Sequence, residues 1–109
     1  MSHRLERRGA AEFLGTAMLV ATVVGSGIMG TLLSDNLAVT LLINAVATVA
    51  ALGVLIWAVG PISGAHFNPV VTGVTVVRRE MPVVEAGVYV IAQVGGALAG
   101  VALANVMFD

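Results

Sequence analysis

The stretch "GPISGAHFNPVVTGVTVVRRE", residues 60–80, decides the fold of this chain. It lies between two long apolar segments, where an ordinary membrane hairpin would need only a short polar turn. Asn68 is a favourable N-cap and Pro69 suits the first helical position, so a helix is predicted to begin there. The apolar residues that follow end at a pair of arginines, Arg78 and Arg79.

The predicted helix is half as long as a membrane span. From Pro69 to about Arg78 it measures about 15 Å, against a hydrocarbon core of about 30 Å. The arginines favour the cytoplasmic surface, which places Asn68 near the midplane. We therefore expect a re-entrant loop and half-helix over about residues 61–78, entered through an extended segment over 63–67. The alternative is a short interfacial helix, but the valines leave no charged face for one.

The composition indicates a membrane protein. Of the 109 residues, 59% are hydrophobic and only 10% are charged, whereas globular domains carry about a quarter charged residues. Three apolar segments reach the span length of about 20 residues, at about 9–33, 37–60 and 83–108. We predict an all-α membrane protein, with three transmembrane helices and one half-helix forming a single unit over residues 1–109.

All basic residues are predicted to face one side of the membrane. Arg4, Arg7 and Arg8 precede the first span, and Arg78 and Arg79 precede the third. Because basic residues stay on the cytoplasmic side, we expect a multi-pass protein of the plasma membrane with a cytoplasmic N-terminus.

A loop at mid-membrane depth has consequences for function. Non-helical backbone is tolerated there only when it is buried in protein or lines a watery cavity. The carbonyl groups of residues 63–66 would form one wall, and Asn68 and the helix N-terminus would supply donors. This combination suits a neutral, hydrogen-bonding solute in single file, and the positive helix end disfavours cations.

Three motifs resemble those of the aquaporin, or major intrinsic protein, family. "SGAHFNPVVT" at 63–72 resembles its first signature loop, usually SGAHxNPAVT, which contains the NPA motif. "AAEFLGT" at 10–16 and "YVIAQVGGALAG" at 89–100 resemble its first and third helices. The resemblance covers nearly the whole chain and implies one repeat of a fold built from two inverted repeats.

The resemblance also implies roles for individual residues. Pore-lining or selectivity positions are Gly64, Ala65, His66, Asn68, Pro69, Val70 and Thr48. Loop-supporting positions are Glu12 and Gln93. Taken alone, Glu12 could also extend to the membrane surface, and His66 could be an ordinary buried histidine. Val70 replaces the usual alanine with a bulkier, β-branched residue. The resemblance therefore does not fix the diameter of the pore beside Asn68.

Thr48 leads to a hypothesis about the solute. Counted back from Asn68 without gaps, it falls at the second-helix position of the family's outer filter, where water and glycerol channels place an aromatic residue. A threonine there implies a wider, moderately polar filter, suited to a small polyol or a neutral metalloid hydroxide. A register error of one residue would move the position to Ala47 or Val49.

The chain contains one repeat and lacks a second Asn-Pro loop and a filter arginine. It is expected to be the first part of a longer protein or a half that needs a complementary repeat, and the resemblance implies tetramers of complete pores. An antiparallel homodimer is the alternative, which the one-sided arginines oppose.

The expected function is passive transport of a small neutral solute such as water, glycerol or a metalloid hydroxide. A non-conducting membrane subunit and half of a secondary transporter are the alternatives. No catalytic constellation, metal-ligand spacing or basic patch with interleaved aromatic residues is present, so we expect no enzyme, no cofactor, no metal and no nucleic-acid partner.

Overall fold

The computed structural model describes residues 3–109, which form four α-helices and no strand. The helices are α1 His3–Leu33, α2 Leu37–Ser63, α3 Pro69–Val77 and α4 Val83–Met107. Within the described range, α1, α2 and α4 are long and apolar enough to cross a membrane. The nine residues of α3 measure about 14 Å. The predicted architecture of three spans and one half-helix is confirmed.

The helix ends differ from the predicted bounds. Helix α1 starts at His3 rather than near residue 9, because the polar residues before the apolar segment are also good helix formers. Helix α2 continues through Pro61 to Ser63, three residues beyond the predicted end at residue 60. The N–H of Gly64 still donates to the carbonyl oxygen of Gly60 at 2.8 Å, so the helix ends only where Gly64 turns left-handed.

Two smaller differences follow at the other ends. The half-helix stops at Val77, with Arg78 as its C-cap, and α4 stops at Met107 rather than residue 108. The non-helical entry to α3 is therefore residues 64–67, one residue shorter than predicted.

Helix α1 lies in the middle of the molecule and packs against both α2 and α4, and α3 packs against α4. Helices α1 and α4 approach each other closely at two glycines of α4. A Cβ atom on Gly96 would lie 2.4 Å from the carbonyl oxygen of Phe13, and one on Gly100 would lie 2.4 Å from that of Ala17. Glycines four residues apart on α4 thus let the two helix backbones approach closely.

Helices α1 and α2 are antiparallel neighbours, as the short connection over residues 34–36 predicts. Asn36 caps α2, because its Oδ1 accepts the N–H of Ala38 at 2.9 Å. Along the same interface, Nδ2 of Asn44 donates to the carbonyl oxygen of Val23 at 2.8 Å and to Oγ of Ser26 at 3.1 Å. These polar contacts hold the two spans in register.

The interior of the molecule is unusually polar. The buried polar residues are Glu12, Thr16, Ser63, Thr72 and Gln93. Large apolar side chains instead cover the outside, and the Trp57 side chain of α2 is 83% exposed. A protein that faces lipid can have this distribution, since only its polar groups need protein partners. Glu12, Ser63 and Thr72 bond to the segment between α2 and α3. Gln93 bonds to Glu12 and Thr72.

Candidate functional site: the loop between α2 and α3

The loop over residues 64–67 has a left-handed backbone at three of its four positions. The φ angles are +88° at Gly64, +53° at Ala65 and +54° at Phe67. A residue other than glycine in this region costs about 1–3 kcal/mol and persists only where its surroundings hold it. The loop therefore depends on contacts from α1 and α4.

Glu12 of α1 accepts four hydrogen bonds, two of them from backbone N–H groups of the loop. Its side chain is fully buried. Oε2 accepts the hydroxyl of Ser63 at 2.6 Å and the backbone N–H of His66 at 3.1 Å. Oε1 accepts the backbone N–H of Phe67 at 2.9 Å and Nε2 of Gln93 at 2.8 Å. Since a carboxylate offers about four lone-pair sites, the acceptor capacity of Glu12 is fully used by the loop, by the end of α2 and by α4.

Gln93 of α4 connects this carboxylate to the half-helix. Its Nε2 also donates to Oγ1 of Thr72 in α3 at 3.0 Å. The same Oγ1 lies 2.9 Å from Nδ1 of His66. Thr72 is fully buried and Gln93 is 1% exposed. One network thus joins α1, α3, α4 and the loop, which fixes the start of α3 relative to both spans.

Phe67 is held by packing as well as by its N–H group. The side chain is buried, and its ring occupies the space beside Gly15. A Cβ atom on Gly15 would lie 2.2 Å from Cε1 of that ring. The glycine in "AAEFLGT" therefore makes room for Phe67, a function that the sequence pattern did not reveal.

Tyr89 of α4 is a second residue that sequence reasoning missed. It is fully buried, and its hydroxyl donates to the carbonyl oxygen of Ser63 at 2.6 Å. Its ring centroid lies 5.0 Å from that of His66. Arg8 donates from Nε to the tyrosine hydroxyl at 3.0 Å and pairs through Nη1 with Glu85 at 3.2 Å. The available signal was a lone tyrosine in an apolar span, because buried tyrosines usually bond through the hydroxyl.

The tip of α3 faces away from this network. Asn68 is exposed, and its Oδ1 accepts the N–H of Val70 at 2.7 Å, so the predicted N-cap is confirmed. Its Nδ2 donates to no atom of residues 3–109. Pro69 is also exposed, and the Val70 side chain is 72% exposed. An amide donor and the first turn of a helix therefore lie on an open surface.

Thr48 is not part of this cluster. It lies in α2, on a half-buried position. Its Oγ1 is buried and has no hydrogen-bond partner among the described residues.

The predicted site residues fall into three groups by their hydrogen bonding and exposure in the structure. Glu12, Gln93 and His66 share one hydrogen-bond network. Gly64, Asn68, Pro69 and Val70 are exposed, and Ala65 is half-buried. Thr48 stands apart. That any of these residues lines a pore or supports one remains a prediction. In the described part of the chain, no group of three His, Asp or Glu residues could hold a metal ion.

Comparisons with known proteins identify one family for the whole chain. The sequence model described as Major intrinsic protein matches residues 1–109. The chain is 52% identical to Aquaglyceroporin AqpS of Rhizobium meliloti over 96% of its own length and 45% of that protein. It is 40% identical to Glycerol uptake facilitator protein-like 6 of Lactiplantibacillus plantarum, over 84% of this chain and 39% of that protein.

Human Aquaporin-5 is 38% identical over 83% of this chain and 32% of its own length. The chain therefore spans less than half the length of these relatives, and it corresponds to their N-terminal half.

Proposed function

Since the chain belongs to the major intrinsic protein family, we propose that it forms one half of a transmembrane channel that passes small neutral solutes. The observation that carries this proposal is the short helix α3 with its exposed, capped tip. A helix of half-span length can begin at Asn68, at mid-membrane depth, only where the space beyond its tip accepts a polar surface.

The loop supplies the acceptors of the proposed pore wall. Within residues 3–109, the carbonyl oxygens of Gly64, Ala65 and His66 accept no hydrogen bond. The preceding carbonyl, that of Ser63, is already used by Tyr89. Three successive acceptors thus remain for a solute that has shed its water, which offsets the cost of entering the membrane.

The tip of α3 supplies the donors and the charge selection. The free Nδ2 of Asn68 can donate to a passing oxygen atom. The N-terminus of α3 carries about half a positive charge from its aligned peptide dipoles. Cations are repelled at this point, whereas a neutral solute passes by exchanging hydrogen bonds.

We infer a solute larger than water from Thr48. Its side chain is smaller than the aromatic residue that the family's water and glycerol channels place at this position, so the filter would be wider, and the hydroxyl would make it moderately polar. The names of two relatives, an aquaglyceroporin and a glycerol uptake facilitator, point to the same class. A small polyol or a neutral metalloid hydroxide is the proposed solute.

We further propose that the N-terminus is cytoplasmic and that the protein resides in the plasma membrane. Arg4, Arg7 and Arg8 lie at the start of α1, and Arg78 and Arg79 follow α3 directly. This placement agrees with the retention of basic residues in the cytoplasm.

The proposed pore needs a second, inverted repeat. The exposed valines of α3 and the tip at Asn68 would be covered by it. We propose that this repeat lies on another chain or further along the same polypeptide. An antiparallel homodimer would require half of the copies to insert with five arginines outside, against the usual bias.

A chimera tests the function directly. Residues 1–109 replace the N-terminal half of the Rhizobium AqpS protein, and glycerol uptake is measured in proteoliposomes by stopped-flow light scattering. We expect glycerol flux well above that of empty vesicles, unaffected by a protonophore, with the unmodified relative as the positive control. A chimera that inserts in normal amounts but leaves flux at the empty-vesicle level would refute the proposal.

A further inference from the structure

We propose that Tyr89 is a positioning residue for the pore wall and that Arg8 acts through it. This inference rests on the proposed function and adds a specific means by which the loop is held. The hydroxyl of Tyr89 would orient the carbonyl of Ser63, and the guanidinium of Arg8 would orient that hydroxyl.

The contacts of Tyr89 with the loop are of two kinds. The hydroxyl donates to the carbonyl oxygen of Ser63 at 2.6 Å. The ring lies against that of His66, at 5.0 Å between centroids and a tilt of 53°. Ser63 and His66 flank the left-handed residues Gly64 and Ala65. Tyr89 therefore contacts both ends of the segment whose carbonyls form the proposed wall.

Arg8 is placed to strengthen the first of these contacts. Its Nε donates to the tyrosine hydroxyl at 3.0 Å, and its Cζ lies 5.2 Å from the ring centroid. Glu85, one turn before Tyr89 on α4, binds Nη1 of Arg8 at 3.2 Å and fixes the guanidinium. A hydroxyl that accepts from a cation becomes a stronger donor, because successive hydrogen bonds polarise one another.

Ser63 is consequently bound at two points by two different spans. Glu12 of α1 accepts its hydroxyl, and Tyr89 of α4 binds its carbonyl. The N–H of the Ser63–Gly64 peptide also donates to the carbonyl oxygen of Gly60. Without the tyrosine hydroxyl the peptide keeps only that bond, so it is held less firmly and the three acceptors that follow lose part of their alignment. A polyol needs several acceptors in register, whereas water needs few, so glycerol flux should suffer more than water flux.

The substitution Tyr89→Phe isolates the hydroxyl, because it retains the ring that packs against His66. The measured quantity is the ratio of glycerol to water permeability of the chimera described above. The number of folded channels cancels in this ratio, so a loss of stability alone does not change it. We expect Tyr89→Phe to lower the ratio about three- to tenfold, the factor typical of one lost buried hydrogen bond.

Two matched controls use other residues of α1. Thr22→Val removes a hydroxyl that bonds to the carbonyl of Met18, far from the loop, and should leave the ratio unchanged. Arg4→Gln removes an exposed arginine from the same end of the helix and should also have no effect. Arg8→Gln should lower the ratio, and Arg8→Lys should restore part of it.

The combination of Arg8→Gln with Tyr89→Phe tests whether Arg8 acts through Tyr89. We expect no further change in the double variant, since the hydroxyl that Arg8 orients is already absent. An unchanged ratio in Tyr89→Phe would overturn the proposal. If Arg8→Gln lowers the permeability ratio by the same factor with and without the Tyr89→Phe substitution, Arg8 does not act through Tyr89, and that part of the proposal is overturned.

Hydrogen exchange separates failure of this inference from failure of the proposed function. In the 109-residue chain in detergent micelles, the amides of His66 and Phe67 bond to Glu12. Tyr89→Phe should accelerate their exchange about threefold or more, and Thr22→Val should not. If the unsubstituted chimera conducts nothing, the channel proposal fails, and exchange alone decides the positioning role: unchanged rates in Tyr89→Phe would overturn it.

Discussion

Glu12 shows what a single residue can reveal from sequence. An ionisable side chain inside an apolar span is costly and is expected to bind the protein interior, and the structure surrounds its carboxylate with four donors. Gly15 and Tyr89 were harder to predict. A glycine or a tyrosine in a span has many common explanations, and their contacts with Phe67 and Ser63 depend on how the spans pack.

The first prediction concerns Glu12→Gln. The amide keeps the shape of the carboxylate but turns an NH₂ group toward two donors, whichever way it is oriented. We expect a loss of about 1–3 kcal/mol in unfolding free energy, measured by denaturant titration in detergent micelles. Glu80→Gln, at an exposed carboxylate paired with Arg78, is the control and should have little effect. Equal stability of both variants would contradict the assigned contacts.

The second prediction concerns Thr48→Phe in the chimera. If Thr48 faces the filter, the larger side chain should lower glycerol flux roughly tenfold or more, because solute selection depends on the pore diameter. Liposome swelling in glycerol measures this. Ala47→Phe and Val49→Phe test the neighbouring registers, and a greater loss in either would move the filter position to that residue. Equal glycerol uptake in all three variants would contradict the wide-filter hypothesis.

At the scale of helices, capping residues predicted more than hydrophobicity did. The pair Asn68–Pro69 located the first residue of α3, and the cap is present in the structure. The apolar pattern located the spans but not their ends. Helix α2 continues past Pro61 because a proline near the end of a helix removes a single N–H group. The left-handed turn at Ala65 and Phe67 could not be predicted, since neither residue type favours it.

The third prediction concerns the contact of α1 with α4. Gly96→Ala places a methyl group where the carbonyl oxygen of Phe13 would lie 2.4 Å away, so the helices must move apart. We expect a destabilisation of about 1–3 kcal/mol, measured by thermal unfolding in micelles. Gly87→Ala on the same helix meets no atom within 4 Å and is the matched control. Two variants of equal stability would show that the close approach is not required.

At the scale of the whole molecule, polar side chains are buried in one hydrogen-bond network and apolar side chains are exposed on the helices, as suits a protein surrounded by lipid. The network binds a strained loop between three spans, and the apolar side chains cover those spans on the outside. Composition alone predicted a membrane protein, and the arginine pattern predicted its orientation. What covers α3 could not be predicted from this chain, because the chain spans less than half the length of its relatives.

The fourth prediction concerns orientation. A reporter fused to the N-terminus should be found only on the cytoplasmic side, because all five basic residues favour that side. Alkaline phosphatase and fluorescent fusions measure this in intact cells. Reporters found on both sides in similar amounts would contradict the orientation and favour the antiparallel homodimer.

The most direct test of the account places a cysteine at the tip of α3. The chain has no native cysteine, so Asn68→Cys can be followed alone in a chimera freed of other thiols. Glu80→Cys serves as a surface control, and Leu98→Cys as an exposed apolar position of α4. We predict that a small, water-soluble thiol reagent labels position 68 more slowly than position 80 and does not label position 98. The label at position 68 should block glycerol flux. Labelling of position 68 at the surface rate with unchanged flux would contradict the claim that this tip faces a solute pathway.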